Sequence, residues 1–343
     1  MSLKNLSVTN KTHNLINRTL KNTKLKNLFL KFSKNLNLNS SFAVGVSGGP
    51  DSLALAYLCK VYALKFGIKQ KFYIVDHKLR SNSTKEAQHV KKLLKKNSIQ
   101  AKILTWRGAK PKSNIQARAR EKRYDLIAKE CKKNNIKHII IGHHLEDKLE
   151  NFIIRLTRGS GLRGLVSFNK KSSMSDIIIE RPLLNFKKNE LVFITSHVFK
   201  DFISDPSNEN QDFKRVRIRN FLKNLSLEGF DQNKFNKTLE NLSHSNTAIN
   251  ELVKKNILLN SYYSRKRKII YLNKEFFNQS NEVKFRSLSE CIKDLGANYY
   301  FARGNKILRI IDLINANKTF KTSLGGCIIK KTNNTVIINK EFH

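Results

Sequence analysis

An alternation constrains this chain more than any other feature. From Phe42 to Thr157, short β-branched and aromatic runs recur between longer stretches with helical spacing. The pattern predicts strands over 42–46, 71–75, 101–106 and 138–142, and helices over 52–65, 85–96, 116–133 and 145–157. Such repetition gives a mostly parallel sheet with helices on both faces, and ligands then bind beyond the carboxyl ends of the strands. The expected fold class is therefore α/β with a Rossmann-like core, and the chemistry is expected just after Val46, Val75 and Ile141.

From about residue 226 the rhythm stops. Residues 234–258 and 282–296 read as amphipathic helices, with a basic patch between them at Arg265, Lys266, Arg267 and Lys268. The apolar runs 327–331 and 336–339, joined by Asn333 and Asn334, suit a hairpin. A length of 343 residues favours more than one compact unit. We expect a basic, helical N-terminal lead over 1–39, a catalytic domain over 40–225, and a smaller α+β accessory domain over 226–343.

Charge points to a partner. The chain has 66 Lys+Arg against 26 Asp+Glu, a formal charge of +40, and no acidic residue before Asp51. Such an excess attracts a polyanion, because neutralising phosphates releases counterions; a generally basic, solvated surface is the other reading of the same numbers. No apolar run approaches the roughly 20 residues of a membrane span. The scattered Cys59, Cys131, Cys291 and Cys327 form no C-x-x-C pair, which argues against a zinc ribbon, a cluster or a redox dithiol, and a reducing, cytoplasmic setting is expected.

The run Phe42–Val46 leads directly into Ser47-Gly48-Gly49-Pro50-Asp51-Ser52, and a helix follows. Glycines let the backbone close around phosphate oxygens, while a helix N-terminus aims N–H groups and partial positive charge at them. Ser47 and Ser52 add hydroxyls. Asp51 is a poor neighbour for phosphate unless a divalent cation lies between, which implies Mg²⁺. Gly159, Gly161 and Gly164 match a dinucleotide fingerprint, but they follow a helical stretch rather than a strand, so hydride transfer is a weak reading.

The loop resembles that of the N-type ATP pyrophosphatases, the PP-loop superfamily. Within it, five further stretches resemble the tRNA(Ile)-lysidine synthase family: Val75 to Arg80, Ala117 through Tyr124, Gly142 to Asp147, Arg158 to Leu165, and Asp205-Pro206-Ser207-Asn208 continuing to Arg215, Arg217 and Arg219. They occur in the family's order. Leu324-Gly325-Gly326-Cys327 is similar, with less specificity, to the family's C-terminal domain. Asn151 departs from the threonine usual there. The resemblance implies that ATP adenylates the carbon-2 oxygen of the wobble cytidine in an isoleucine tRNA with a CAU anticodon. Free L-lysine then displaces AMP to form lysidine. The alternative readings are a tRNA thiolase of the same ATP-pyrophosphatase group, whose chemistry typically uses paired cysteines to carry sulfur or a cluster, and a non-catalytic tRNA-binding relic.

On that resemblance, Asp51 and Asp147 are the catalytic and Mg²⁺ candidates. Asp147 taken alone is equally a first-turn carboxylate favoured by the helix dipole. Arg120 and Arg123 lie on neighbouring faces of one helix and either grip a carboxylate or phosphate or form a solvated basic face. His77 contacts the nucleotide or belongs to a turn; His143 bonds phosphate or is structural. Arg155, Arg158, Arg163, Arg215, Arg217 and Arg219 are the tRNA-binding candidates. The base that frees the lysine amine is not decided by the sequence, Glu150 and Asp205 being two options. Oligomeric state is open, a homodimer included.

Overall fold

The runs Phe42–Val46 (β1), Gln70–Asp76 (β2), Ala101–Thr105 (β3) and His138–Ile140 (β4) form the parallel part of one sheet. Lys171–Met174 (β5) and Ile177–Glu180 (β6) complete it, β6 parallel to β4 and β5 antiparallel at the edge. The order is β3-β2-β1-β4-β6-β5. Chain direction reverses its stepping between β1 and β4, the position where such sheets open a crevice. The registers Val46↔Ile74 and Val44↔Ile140 bring the strand ends to one edge. The computed structural model describes residues 15–109, 111, 113, 115–174, 176–203, 211–212, 214–296, 301–316 and 319–341. The stretch Asp205 to Asn208 lies outside them.

Helices cover both faces. On one, Thr23–Leu36 (α1), Pro50–Phe66 (α2), Ser83–Lys96 (α3) and Lys188–Val198 (α7) share a core. On the other, Ile127 and Cys131 of Ile115–Lys133 (α4) pack on Ala43, Tyr73 and Ile139. Residues Leu53 to Cys59 are buried on every side of α2, as the lack of a polar face in that stretch requires. In the basic N-terminal stretch, Leu25, Leu28, Phe29, Phe32 and Leu36 make an apolar stripe on α1 that enters the core. Asn22 caps this helix by accepting from the Leu25 N–H at 2.9 Å.

Leu145–Leu156 (α5) follows β4, and the short Leu162–Leu165 (α6), Lys214–Leu227 (α8) and Gln232–Asn260 (α9) come later. Gly159 at φ +68° ends α5 in a left-handed turn. The glycine-rich stretch is thus a helix terminus, not a strand-to-helix phosphate loop.

The chain divides into Met1–Asn236 and Lys237–His343. The second unit holds Ser261–Ser264 (β7), Ile269–Leu272 (β8), Asn281–Leu295 (α10), Gly304–Asn315 (α11), Phe320–Leu324 (β9), Cys327–Thr332 (β10) and Thr335–Lys340 (β11). Its sheet is antiparallel, ordered β7-β8-β11-β10-β9. The expected hairpin is β10–β11, with Asn333 at φ +51° in its turn. Leu272, Leu288, Ile307, Ile329 and Ile338 are fully buried between this sheet and its helices. The architecture is the expected one: a mostly parallel α/β core and a smaller antiparallel α+β part.

Candidate active site

The loop after β1 is braced from inside by Ser52. Its Oγ accepts the N–H groups of Ser47 at 3.1 Å and Gly48 at 3.0 Å, and donates to the Gly49 carbonyl at 3.0 Å. Ser47 Oγ lies 3.2 Å from the same hydroxyl. Ser52 therefore shapes the loop, whereas Ser47 stands at its mouth. Gly48 has φ +93°, and a Cβ there would sit 2.4 Å from Val90 Cγ2. Only glycine fits that position. Gly49 is the N-cap of α2 and Pro50 opens the helix, where its missing N–H costs nothing. Helical bonding begins with Leu53 N–H to the Gly49 carbonyl at 3.1 Å, so the first-turn N–H groups of Asp51 and Ser52 precede it, the kind of helix start that can take an anion. A Cβ on Gly142 would lie 3.3 Å from the Asp51 carbonyl; glycine after β4 lets that first turn come close.

Asp51 meets two partners. Lys188, at the start of α7, donates to its two oxygens at 2.7 and 2.6 Å, and His144 Nε2 lies 3.6 Å from Oδ2. Asp147, in the first turn of α5, accepts the His144 N–H at 3.1 Å and has Oδ2 3.6 Å from His144 Nε2. Glu146 Oε2 lies 2.9 Å from His144 Nδ1. Three carboxylates thus surround one imidazole. Burial opposes a charge on His144, but the Asp51 and Glu146 contacts and the field of Asp147 outweigh it and raise its pKa to about 10. Burial likewise opposes ionisation of Asp51 and Asp147, yet the neighbouring cations hold both below the usual carboxylate range.

These carboxylates fit a hydrated Mg²⁺ in number and type, since that ion is commonly held by one or two carboxylates plus phosphate oxygens. Among the described residues no group of three or more His, Cys, Asp or Glu forms a ready-made cage. The arrangement suits an ion that arrives with the nucleotide.

Across the crevice mouth two histidines are each held by arginine. Arg123 Nε donates to His77 Nε2 at 3.4 Å, and Arg181 Nε to His143 Nδ1 at 3.2 Å. Arg120 Nη2 is 3.4 Å from His143 Nε2, and its guanidinium lies over the Tyr124 ring. Burial and then the Arg123 charge push His77 down to about 4; burial, then Arg120, Arg181 and Arg215 acting against Asp147, push His143 down to about 3. Both rings are neutral near pH 7. The loop, Asp51, Asp147, Arg120, Arg123, His77 and His143 therefore gather at one sheet edge.

The basic residues divide. Arg219 Nε donates to the buried Glu150 Oε1 at 2.8 Å, and Arg215 Nε is 4.0 Å from Oε2. Arg217 Nη1 donates to the carbonyls of Gln211 and Asp212 at 2.8 and 3.0 Å. Arg155 bonds Asn151 one turn back at 2.8 Å, so the asparagine that departs from the family pattern braces this arginine. Arg158 is exposed in the turn after α5, and Arg163 is half-buried on α6. Thus Arg215 and Arg219 face inward to a carboxylate, while Arg158 faces solvent.

A family model described as the PP-loop domain, an ATP-binding family, matches residues 19–225. The chain is 34% identical over 328 residues to the tRNA(Ile)-lysidine synthase of Orientia tsutsugamushi (strain Boryong), covering 89% of this chain and 70% of that one. The chain belongs to the tRNA(Ile)-lysidine synthase family. Identity to the synthase of that name from Rickettsia akari (strain Hartford) is 34% over 337 residues, covering 92% of this chain and 74% of the relative. The solved U34-tRNA thiolase NcsA from Methanococcus maripaludis, with its [4Fe-4S] cluster, superposes with TM-score 0.54 at 17% identity, over 63% of this chain and 79% of its own. That likeness shows a shared fold.

In this member of the lysidine synthase family, sequence reading missed Lys188, His144 and Arg181 as parts of the site. His144 lies inside a stretch already singled out, and its role needed only the three acidic neighbours. Lys188 and Arg181 carry no local signal: both are brought in by the later strand β6 and helix α7.

Proposed function

We propose that this chain is an ATP-dependent tRNA(Ile)-lysidine synthetase. The observation that carries the reading is the phosphate loop with Asp51 and Asp147 at one sheet edge, in a chain of this family. In the first step, the carbon-2 oxygen of the wobble cytidine attacks the α-phosphorus of ATP. An O–P bond forms, the bond to the β-phosphate bridge breaks, and pyrophosphate leaves. Mg²⁺ held by Asp51 and Asp147 would supply charge neutralisation there, and the amides at the start of α2 would bind the phosphate oxygens. Lys188 and His144 keep Asp51 ionised and aimed at the crevice.

In the second step the ε-amine of lysine attacks carbon-2, a C–N bond forms, the C–O bond breaks and AMP departs. The amine must first lose a proton, which costs roughly 4.6 kcal/mol at pH 7 from a reference pKa of about 10.4. Glu150 supports the role of acceptor: it is buried, burial raises its pKa despite Arg219, and Asp147 adds to the rise. Exposed cations such as Arg158 and the basic turn of the second unit would hold tRNA phosphates, which makes 226–343 an accessory tRNA-binding domain to the catalytic 40–225. A cytoplasmic reaction is part of the proposal and is supported by the four cysteines, all buried free thiols, as a reducing compartment allows; no helix of the described residues is long and apolar enough to cross a membrane.

The thiolase reading finds no support in those cysteines, since burial raises each thiol pKa and leaves no paired, reactive sulfur. The test is a two-stage labelling. With ATP labelled at the α-phosphate and no lysine, label enters a CAU-anticodon isoleucine tRNA; adding lysine releases it as AMP. RNA that never acquires the label contradicts the proposal.

A further inference from the structure

A guanidinium only donates hydrogen bonds, so a ring nitrogen receiving one must present a lone pair. A neutral imidazole has a single such nitrogen, and its hydrogen is forced onto the other. Arginine faces both ring nitrogens of His143, and only one can be the acceptor. The contact from Arg181 Nε to Nδ1, at 3.2 Å against 3.4 Å from Arg120 Nη2 to Nε2, is the shorter and comes from the more firmly held guanidinium, which makes His143 the Nε2–H tautomer. Nε2 and Arg120 Nη2 then both bear hydrogen and neither can satisfy the other; an anionic oxygen placed between them would satisfy both.

Arg181 is built to do this. It is 8% exposed, its Nη1 donates to the Asn169 carbonyl at 3.0 Å and Ser172 Oγ at 2.9 Å, and its guanidinium lies over Phe168 at 5.3 Å. Phe168 also packs against the His143 ring, with centroids 5.0 Å apart. The same device recurs at His77, where Arg123 Nε takes the Nε2 lone pair and the hydrogen falls to a buried Nδ1 that has no partner among the described residues.

We infer that Arg181 is a positioning residue for His143: it fixes the ring as a neutral Nε2–H donor that forms, with Arg120, a fork for a phosphoryl oxygen of the nucleotide. The inference rests on the crevice being the nucleotide site. The charged groups facing His143 are Arg120 from α4, Arg215 from α8, Arg181 after β6 and Asp147 from α5. Three cations against one carboxylate, with burial, keep the ring uncharged near neutral pH, so it holds a hydrogen bond and does not shuttle a proton.

The experiment uses the full chain labelled with ¹⁵N-histidine, with the His143 signals identified by their loss in His143→Gln. Long-range ¹H–¹⁵N spectra without ligand should show one tautomer, hydrogen on Nε2, from about pH 8 to about pH 5.5, below the ordinary histidine value. Added ATP should shift the Nε2 signal. In Arg181→Met the ring should populate both tautomers, and single-turnover adenylation at saturating ATP should slow roughly 10- to 100-fold, the scale of losing a charge-assisted bond. tRNA affinity should stay unchanged. Arg181→Lys should not rescue the tautomer, because lysine lacks the directed Nε–H. Hydrogen on Nδ1 in the native chain, a ring that titrates across that range, or an Arg181→Met spectrum like the native one overturns the inference. If Arg181→Met fails to fold, the native spectrum still decides. The spectrum without ligand does not depend on catalysis, so a chain with the expected tautomer but no RNA adenylation fails the functional reading alone.

Discussion

Lys188 Nζ reaches both oxygens of Asp51, at 2.7 and 2.6 Å, from a position 137 residues away in sequence. The backbone N–H of Lys188 donates to Glu146 Oε1 at 3.0 Å, so the start of α7 is tied to α5 and to the loop after β1 together. Asp51 was expected to need a divalent cation beside the nucleotide; the fold supplies a permanent cation as well.

Replacing Lys188 by methionine should therefore damage catalysis more than folding. The lysine side chain is 43% exposed, and a partly exposed pair contributes at most about 1 kcal/mol. Urea unfolding should show a loss within that limit, while turnover falls by roughly tenfold or more, the scale of one charge-assisted contact. Native turnover in the variant would remove Lys188 from the site.

Gly48 and Gly49 should respond differently to alanine. Gly48 has φ +93° and no room for a Cβ, whereas a Cβ on Gly49 meets nothing within 4 Å. Gly48→Ala should lose roughly 1–3 kcal/mol from backbone strain and bind ATP poorly. Gly49→Ala should lose only the smaller N-cap preference, about 1 kcal/mol or less. Thermal unfolding with and without ATP separates the two.

His143 and His144 are neighbours in sequence with opposite shifts, to about 3 and about 10. The unfolded value of each is about 6.5. Between pH 6.5 and 3 the unfolded chain binds more protons at His143, so its contribution to stability is present above 6.5 and is lost on acidification. Between pH 6.5 and 10 the folded chain binds more protons at His144, so that contribution is full below 6.5 and is lost as pH rises. In metal-free protein the urea midpoint should therefore fall on both sides of about pH 6.5. His143→Gln should make the acid side shallower, His77, itself pushed down to about 4, keeping part of the slope, and His144→Gln should flatten the alkaline side.

Arg158 and Arg219 should separate RNA affinity from stability. Arg158 lies exposed in its turn, and Arg158→Ala should leave the urea midpoint unchanged while reducing the salt slope of tRNA binding by about one. Arg219→Ala leaves Glu150, 1% exposed, without its 2.8 Å partner, and should lower the urea midpoint clearly. Equal effects on both measurements would refute this division.

Much of the fold was readable because its strands are short apolar runs and its helices have clear boundaries. The hairpin signal at Asn333 and Asn334 was also local. The edge strand β5 was not readable, since Lys171-Ser172-Ser173-Met174 has little strand character and pairs only because β6 lies beside it. The site divides the same way. The loop announces itself by its glycines between strand and helix, and Asp147 was singled out only through the family resemblance of its stretch, whereas Lys188 and Arg181 act through tertiary contacts with no sequence period. Ser52, expected to donate to phosphate, spends its hydroxyl on the loop's own amides; its distance from Ser47 along the chain does not reveal that.

The central claim is tested most directly by the chemical state of one nucleotide. An isoleucine tRNA with a CAU anticodon is incubated with the protein, ATP, Mg²⁺ and isotopically labelled lysine, and its nucleosides are then separated by mass. The account predicts that the wobble cytidine gains lysine in place of its carbon-2 oxygen, with AMP and pyrophosphate released, and that Asp147→Ala abolishes the change while binding tRNA within a few-fold of the native chain. ATP consumed with the wobble cytidine unaltered, or modified by sulfur instead of lysine, would contradict it.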